Sequence, residues 1–346
     1  MNSTSPVTSA QNSISTGGKI VLILLLGGLS LFFAEVFSGA SVLWFLQPWA
    51  WAVTLPLYMF HALLLLNLAM IFRRRSLASL YLWGVLFGLY ESWITKVVWA
   101  GYMNQSPAMG TFLGFAVLEA PLIVLFWHPV MSFILPILTF QVLAGKPELP
   151  GHAGILTKTR TTWALALLLI LIGASSLDMN ANYNVIASVL TIVGSIVYIG
   201  IFYVIATKKY APWFSIKSLK LGRLGLALNV LYLILLYAWA FFNLLPGRIP
   251  QWPTMLLTLC FYGVILGLLW MKKPDIEENA ASVGEMLSRK DAGILAIILL
   301  ALAIAFCLVP AAGRMLEIAV YLGTFIISLI LFVGVTFRVI GDRLKD

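Results

Sequence analysis

The sequence predicts an all-α integral membrane bundle of about ten transmembrane helices, and three observations carry that prediction. Only 10% of the 346 residues are charged and 61% are hydrophobic, with a mean hydropathy of +0.99. Soluble domains run near a quarter charged. Apolar runs of about 20 residues, enough to cross a ~30 Å hydrocarbon core, recur along the chain. Lysine and arginine gather in alternate loops, as the positive-inside rule requires.

The runs lie at 19–37, 51–72, 77–99, one within 110–143, then 161–178, 184–206, 222–245, 252–271, 292–312 and 315–338. With both termini cytoplasmic, every basic residue except Lys96, Arg248 and Arg314 falls on the inside. That asymmetry places a multipass chain in the cell membrane, N-in and C-in. It also accounts for the net charge of +9 without nucleic acid as a partner.

Residues 1–18 read as a disordered polar tail ahead of the first span, which is expected to stay as a signal anchor rather than be cleaved after "FSGA". Residues 19–143 hold the first four spans, and 144–346 hold six more joined by short cytoplasmic loops. Two full spans within 110–143 would put Lys208 to Arg223 outside, so one crossing is expected there. Either a helix starts at Pro121, with 110–119 a re-entrant or interfacial piece, or one long helix kinks at Pro121, Pro129 and Pro136. "WFSIKSLKLGR" reads as a segment on an anionic membrane face, and "PDIEENAASVGEMLSRKD" as a short soluble helix with Glu285 and Arg289 paired.

Ionisable residues inside spans are costly unless paired, hydrated or neutralised, so they are the default functional candidates. Glu35, His61, Glu91, Lys96, Glu119 and His128 all lie in the first four spans, whereas the later spans are almost free of charge. At about 1.5 Å per residue, Glu91, His61 and a His128 on a helix from Pro121 share one layer about 10–15 Å below the outer surface. If the fourth helix starts at Gly110 instead, Glu119 becomes the neighbour of Glu91. Glu91 and Lys96 are about 140° apart around a helix, so Glu91 must find its partner on another element. Lys96 is expected to snorkel outward, Glu35 to be interfacial, and His61 to be a hydrogen-bonded packing residue.

A carboxylate and an imidazole in one dry layer suit two chemistries. Glu91 can activate water for attack on a carbonyl while His128 stabilises the oxyanion, or the pair can pass protons along a transport path. A third reading makes the same residues helix glue in a non-catalytic subunit or scaffold that binds other membrane proteins. On the seventh span, Asn229, Tyr232, Trp239 and Asn243 share an arc of about 80° and suit interhelical hydrogen bonding. "SSLDMNANYN" reads as an outer turn. Cys260 and Cys307 lie in apolar runs, and the three histidines show no zinc spacing, so neither a disulfide framework, a metal nor another cofactor is expected.

"FFAEVFSGAS", "LYMFHALLLLNLA" and "WGVLFGLYESWITKV" together resemble an uncharacterised group of prokaryotic multipass membrane proteins, over roughly residues 30–105. "ESWITK" and "VLFWH" also resemble the motifs of the CPBP (CAAX-type) intramembrane proteases, Glu-Glu-x-x-x-Arg and Phe-x-x-x-His. The resemblance implies Glu91 and His128 as the water-activating pair for peptide-bond hydrolysis of a membrane-embedded substrate. Ser92 stands at the second glutamate, Lys96 at the arginine and Val124 at the phenylalanine. No His-x-x-x-Asn/Asp follows His128.

Overall fold

A computed structural model describes residues 14–102, 105–275 and 284–344, which form helices and one two-stranded ribbon. Helix α1 spans Thr16–Val36 and α2 spans Ala50–Ile71. Three short helices follow: α3 (Leu77–Gly88), α4 (Tyr90–Trp93) and α5 (Val97–Ala100). The ribbon pairs β1 (Thr111–Phe112) with β2 (Phe115–Ala116), and α6 runs from Glu119 to Ala144. A short α7 (His152–Leu156) leads into α8 (Arg160–Asn180), α9 (Val185–Lys209), α10 (Arg223–Asn243), α11 (Trp252–Met271), α12 (Arg289–Leu308) and α13 (Pro310–Leu344).

Among the described residues, nine helices are long and apolar enough to cross a membrane. The tenth expected span, 77–99, is broken into α3, α4 and α5. Its 12-residue first piece reaches only about 18 Å at 1.5 Å per residue. The last break falls at Lys96, whose φ of 61° is left-handed and ends any helical run.

The awkward stretch 110–143 resolves into a hairpin and one helix. Residues 110–117 turn back on themselves, with Thr111 opposite Ala116 and the Val117 amide donating to the Gly110 carbonyl at 3.1 Å. Then α6 starts at Glu119, with Pro121 in its first turn, where a missing N–H costs nothing. Pro129 sits inside a stretch of wider π-type turns, Leu122–Ile134. A proline there removes one rung of an ordinary helical ladder, and the wider turn absorbs the loss.

Three expectations change. Residues 1–13 of the expected disordered tail lie outside the described residues, but α1 already begins at Thr16. The apolar side chains of the 211–219 connector turn into the protein, not onto a membrane face: Phe214, Ile216 and Leu219 are buried, and Phe214 packs edge-on to Phe140 at 5.2 Å. Within "PDIEENAASVGEMLSRKD", residues 276–283 lie outside the described residues. Glu285 faces Lys158 at 3.6 Å rather than Arg289, and Met286 forms a β-bridge with Thr157.

The tightest seam joins α3 to α6. A Cβ at Gly84 would fall 2.4 Å from Pro129 Cα, and one at Gly88 would fall 2.9 Å from Val124 Cα. The two backbones therefore meet without intervening side chains, which suits helix association in lipid, where packing replaces hydrophobic burial. Gly84→Ala forces a backbone shift and is expected to cost about 1–3 kcal/mol, read as a lower unfolding temperature in detergent.

The loop after α6 is tied down by His152, which is buried and whose Nδ1 lies 2.8 Å from the Gln141 amide nitrogen. Burial holds its imidazole down at about 4, from an ordinary 6.5, against a smaller opposing effect of a backbone hydrogen bond at Arg75. A base held neutral in the fold contributes stability above its unfolded pKa, and that contribution is lost as pH falls from about 6.5 toward 4. Unfolding of the wild type should ease by about 1.4 kcal/mol for each pH unit across that window, and His152→Leu should flatten the slope.

Candidate functional site

The α3–α6 seam sets two polar side chains against each other. Glu91 sits on α4, between the two breaks, and its Oε1 lies 3.1 Å from His128 Nε2 on α6. The other carboxylate oxygen, Oε2, accepts from the Thr95 hydroxyl. His128 Nδ1 is 2.9 Å from the Ser132 hydroxyl one turn further on, and the Ser30 hydroxyl of α1 donates to the Ser132 carbonyl at 2.6 Å. His128 is buried, whereas the Glu91 side chain keeps 11% of its surface exposed. Aromatic rings enclose the imidazole, with Tyr90 edge-on at 4.9 Å and Phe87 and Tyr58 stacked at 5.4 and 6.0 Å.

A second carboxyl group joins this pair. Glu35 Oε1 accepts from the Tyr58 hydroxyl at 2.6 Å, and its Oε2 accepts from the Ser41 hydroxyl at 2.5 Å. The Tyr58 and Tyr90 hydroxyls are 2.7 Å apart, and Tyr90 also interacts with the Glu91 carboxyl. The path therefore runs Ser41, Glu35, Tyr58, Tyr90, Glu91, His128, Ser132. Hydroxyls, carboxyls and imidazole can each both donate and accept, so every link can reverse its direction.

The backbone that carries the site is irregular at Glu35, Glu91 and His128. Glu35 lies on the π-type turn Phe32–Val36 that ends α1, and His128 lies on the π-type stretch of α6. Glu91 occupies a four-residue helix between breaks. Such turns concentrate at functional sites, because the fold must hold them against the regular helix.

The remaining expected site residues sit elsewhere. His61 Nδ1 donates to the Leu57 carbonyl at 2.8 Å and its Nε2 lies 3.0 Å from the Tyr237 hydroxyl, with its ring 5.0 Å from that of Phe87, which also stacks on His128. Glu119 is buried at the hairpin base, where its Oε1 accepts from the Ala108 amide at 2.8 Å and its Oε2 has no hydrogen bond. Among the described residues no hydrogen bond joins it to Glu91, whose carboxylate meets His128 and Thr95 instead. Asn229 is buried without a hydrogen-bond partner among the described residues, while Asn243 donates back to Trp239 O at 2.8 Å and is exposed. The stripe on α10 thus does not converge on the site.

Lys96 does not snorkel outward. It is fully buried, and its ammonium donates to the carbonyls of Ala240 at 2.8 Å, Phe241 at 3.0 Å and Ile94 at 3.1 Å, and also to Leu244. The Ala240, Phe241 and Leu244 carbonyls end α10, where the helix dipole and orphan acceptors favour a cation.

Sequence reasoning missed Tyr58, Tyr90, Ser41, Thr95 and Ser132, whose types are too common in membrane helices to stand out. It also placed too little charge in the later helices. Asp178 is buried on α8 rather than in an outer turn, beside Ser188 and Cys307, and Glu317 on α13 is buried and accepts from the Ser176 hydroxyl at 3.1 Å. Among the described residues, no three His, Cys, Asp or Glu side chains gather as a metal site.

A family described as an uncharacterized membrane protein family matches residues 24–342 of the chain. A relative from Archaeoglobus fulgidus, described as an uncharacterized protein, is 37% identical over 129 residues, or 36% of this chain. The matched stretch spans 39% of that relative's own length. No solved structure matches.

Truncating Lys96 leaves several buried carbonyls without a donor. Lys96→Met is expected to lower stability by about 1–3 kcal/mol, measured by thermal unfolding in detergent.

Proposed function

The chain belongs to this uncharacterized membrane protein family, and on that premise we propose that it is a proton-coupled membrane protein with the Glu91–His128 pair as its proton-exchanging centre. The observation that carries this reading is the line of buried polar groups from Glu35 to His128, hydrogen-bonded from Glu35 through Tyr58 to Tyr90 and again from Glu91 to His128, with Tyr90 next to Glu91 in the chain. Chains of carboxyl, hydroxyl and imidazole groups inside a membrane are the usual material of proton relays. The basic residues support a plasma-membrane protein with both termini in the cytoplasm, so the Glu35 end of the path lies toward the outer face.

In this mechanism a proton enters at Glu35, near the turn that ends α1. Tyr58 then donates its own hydroxyl proton onward to Tyr90 as it accepts one from Glu35. Tyr90 repeats the step toward Glu91, and Glu91 exchanges its proton with His128 Nε2. The broken span supplies the coupling. Breaks on both sides of α4 let Glu91 shift relative to His128 with few backbone hydrogen bonds at stake, a feature that transporter helices share at their binding sites. The partner in such coupling is a small-molecule or membrane-embedded substrate.

A second reading uses the same pair for hydrolysis. Glu91 and His128, at 3.1 Å, are close enough to activate one water between them and a carbonyl, and the partial exposure of Glu91 favours water access. In this reading Glu91 is the base and His128 steadies the oxyanion, as the CPBP resemblance implies.

The two are separated in proteoliposomes loaded with a pH-sensitive dye. Under an imposed membrane potential the wild type should take up protons, and Glu91→Gln and Tyr58→Phe should each lose that uptake. His61→Gln and Glu119→Gln should retain it. Uptake that ignores Glu91→Gln contradicts the proton reading. Hydrolysis instead predicts cleavage of membrane-embedded peptides that fails in Glu91→Gln and His128→Ala but persists in Tyr58→Phe. A scaffold predicts that the wild type and all five variants are silent in both assays.

A further inference from the structure

Among the described residues, Asp178 is the buried acid that the fold compensates least. It sits in the last turn of α8 with no exposed surface, and neither of its carboxylate oxygens completes a hydrogen bond among those residues. The Ser188 hydroxyl on α9 and the Cys307 thiol on α12 are near enough to act on it. The contact that closes is between the two of them, the thiol donating to Ser188 Oγ at 3.7 Å. The Tyr183 hydroxyl, which interacts electrostatically with Asp178 and Glu317, also lacks a hydrogen-bond partner among the described residues. The Arg314 guanidinium lies over the Tyr183 ring at 5.8 Å, and no basic side chain among the described residues forms an ion pair with Asp178.

The backbone sharpens this imbalance. Asp178 and Cys307 each lie within two residues of a helix carboxyl end, where the dipoles of α8 and α12 add negative potential. The amino end of α9 would offset them, but Asn184 already caps it, accepting from the Ala187 amide at 3.0 Å. An anion buried without a donor or a counter-ion is strongly destabilising, so the site calls for positive charge. A proton covers only one carboxylate oxygen, and the O–H it creates needs an acceptor of its own. A bound cation serves both oxygens at once. In membrane transporters, helix carboxyl ends are where Na+ is held.

We propose that Asp178 and Ser188 form a binding site for one alkali cation, enclosed between α8, α9 and α12. Asp178 supplies the charge and two oxygens. Ser188 Oγ supplies a third, oriented by the thiol that donates to it. The single charge of Asp178 matches a monovalent ion, since the carboxylate of Glu317 is engaged separately by the Ser176 hydroxyl. The site goes beyond proton exchange at Glu91 and does not depend on it, because none of its residues belongs to the line from Glu35 to His128.

Thermal unfolding of the full chain in detergent, with NaCl or KCl replacing choline chloride at constant ionic strength, tests the proposal. A ligand that binds only the folded state raises the unfolding temperature as its concentration rises. At least one of the two salts should do so in the wild type. Asp178→Asn should remove the response, and Ser188→Ala should raise the salt concentration it needs. Glu91→Gln should respond like the wild type, so failure of the proton reading and failure of this site are read separately. If Asp178→Asn does not fold, radioactive Na+ or Rb+ should bind the wild type at one ion per chain, and Ser188→Ala should weaken that binding. No response to either salt beyond choline, or a response that Asp178→Asn retains, overturns the proposal. Stabilisation by lower pH with neither salt effective means a protonated carboxyl only, and likewise overturns it.

Discussion

A carboxyl group at membrane depth has to find inside the protein what water would otherwise supply. That constraint organises the first half of this chain. Glu91 cannot reach Lys96, five residues on, so its partners come from other elements, and His128 is brought to it by α6. The approach depends on Gly84 and Gly88, whose missing side chains let the α3 and α6 backbones touch. Lipid offers no hydrophobic reward for that contact, so close packing and the buried hydrogen bonds together hold the seam.

Breaking a span to place Glu91 creates a second problem, because each free backbone group in lipid costs several kcal/mol. The solution is again a side chain. Lys96, in the left-handed conformation at the last break, turns its ammonium onto the carbonyls that end α10. One basic residue thus closes the irregularity that the acidic residue requires. The same rule holds Glu35 through Ser41 and Tyr58, and two tyrosines lie between it and Glu91.

Much of this was legible in the sequence. Span periodicity and loop charge predicted an all-α chain of about ten crossings, and nine long apolar helices plus the broken one are observed among the described residues. The shared layer of Glu91 and His128 followed from rise per residue and a helix start near Pro121. Lys96 could not be placed correctly, because its burial depends on where α10 ends in space. Tyr58 and Tyr90 were invisible for a different reason: aromatic residues are common in membrane helices, and only a fixed geometry makes their hydroxyls a bridge. Asp178 and Glu317 were hidden by their nearness to predicted span ends, where a charge ordinarily reaches water. The π-type turns under Glu35 and His128 have no residue signature apart from Pro129, since they come from packing and not propensity.

The central claim is that Glu35 and Glu91 belong to one proton network joined by Tyr58 and Tyr90. Infrared difference spectroscopy of the glutamate carboxyl band across a pH step tests it most directly. In the wild-type background, Glu35→Gln should shift the band of Glu91, and in a Tyr58→Phe background the same substitution should leave it in place. A Glu91 band that is indifferent to Glu35 in the wild-type background would contradict the account.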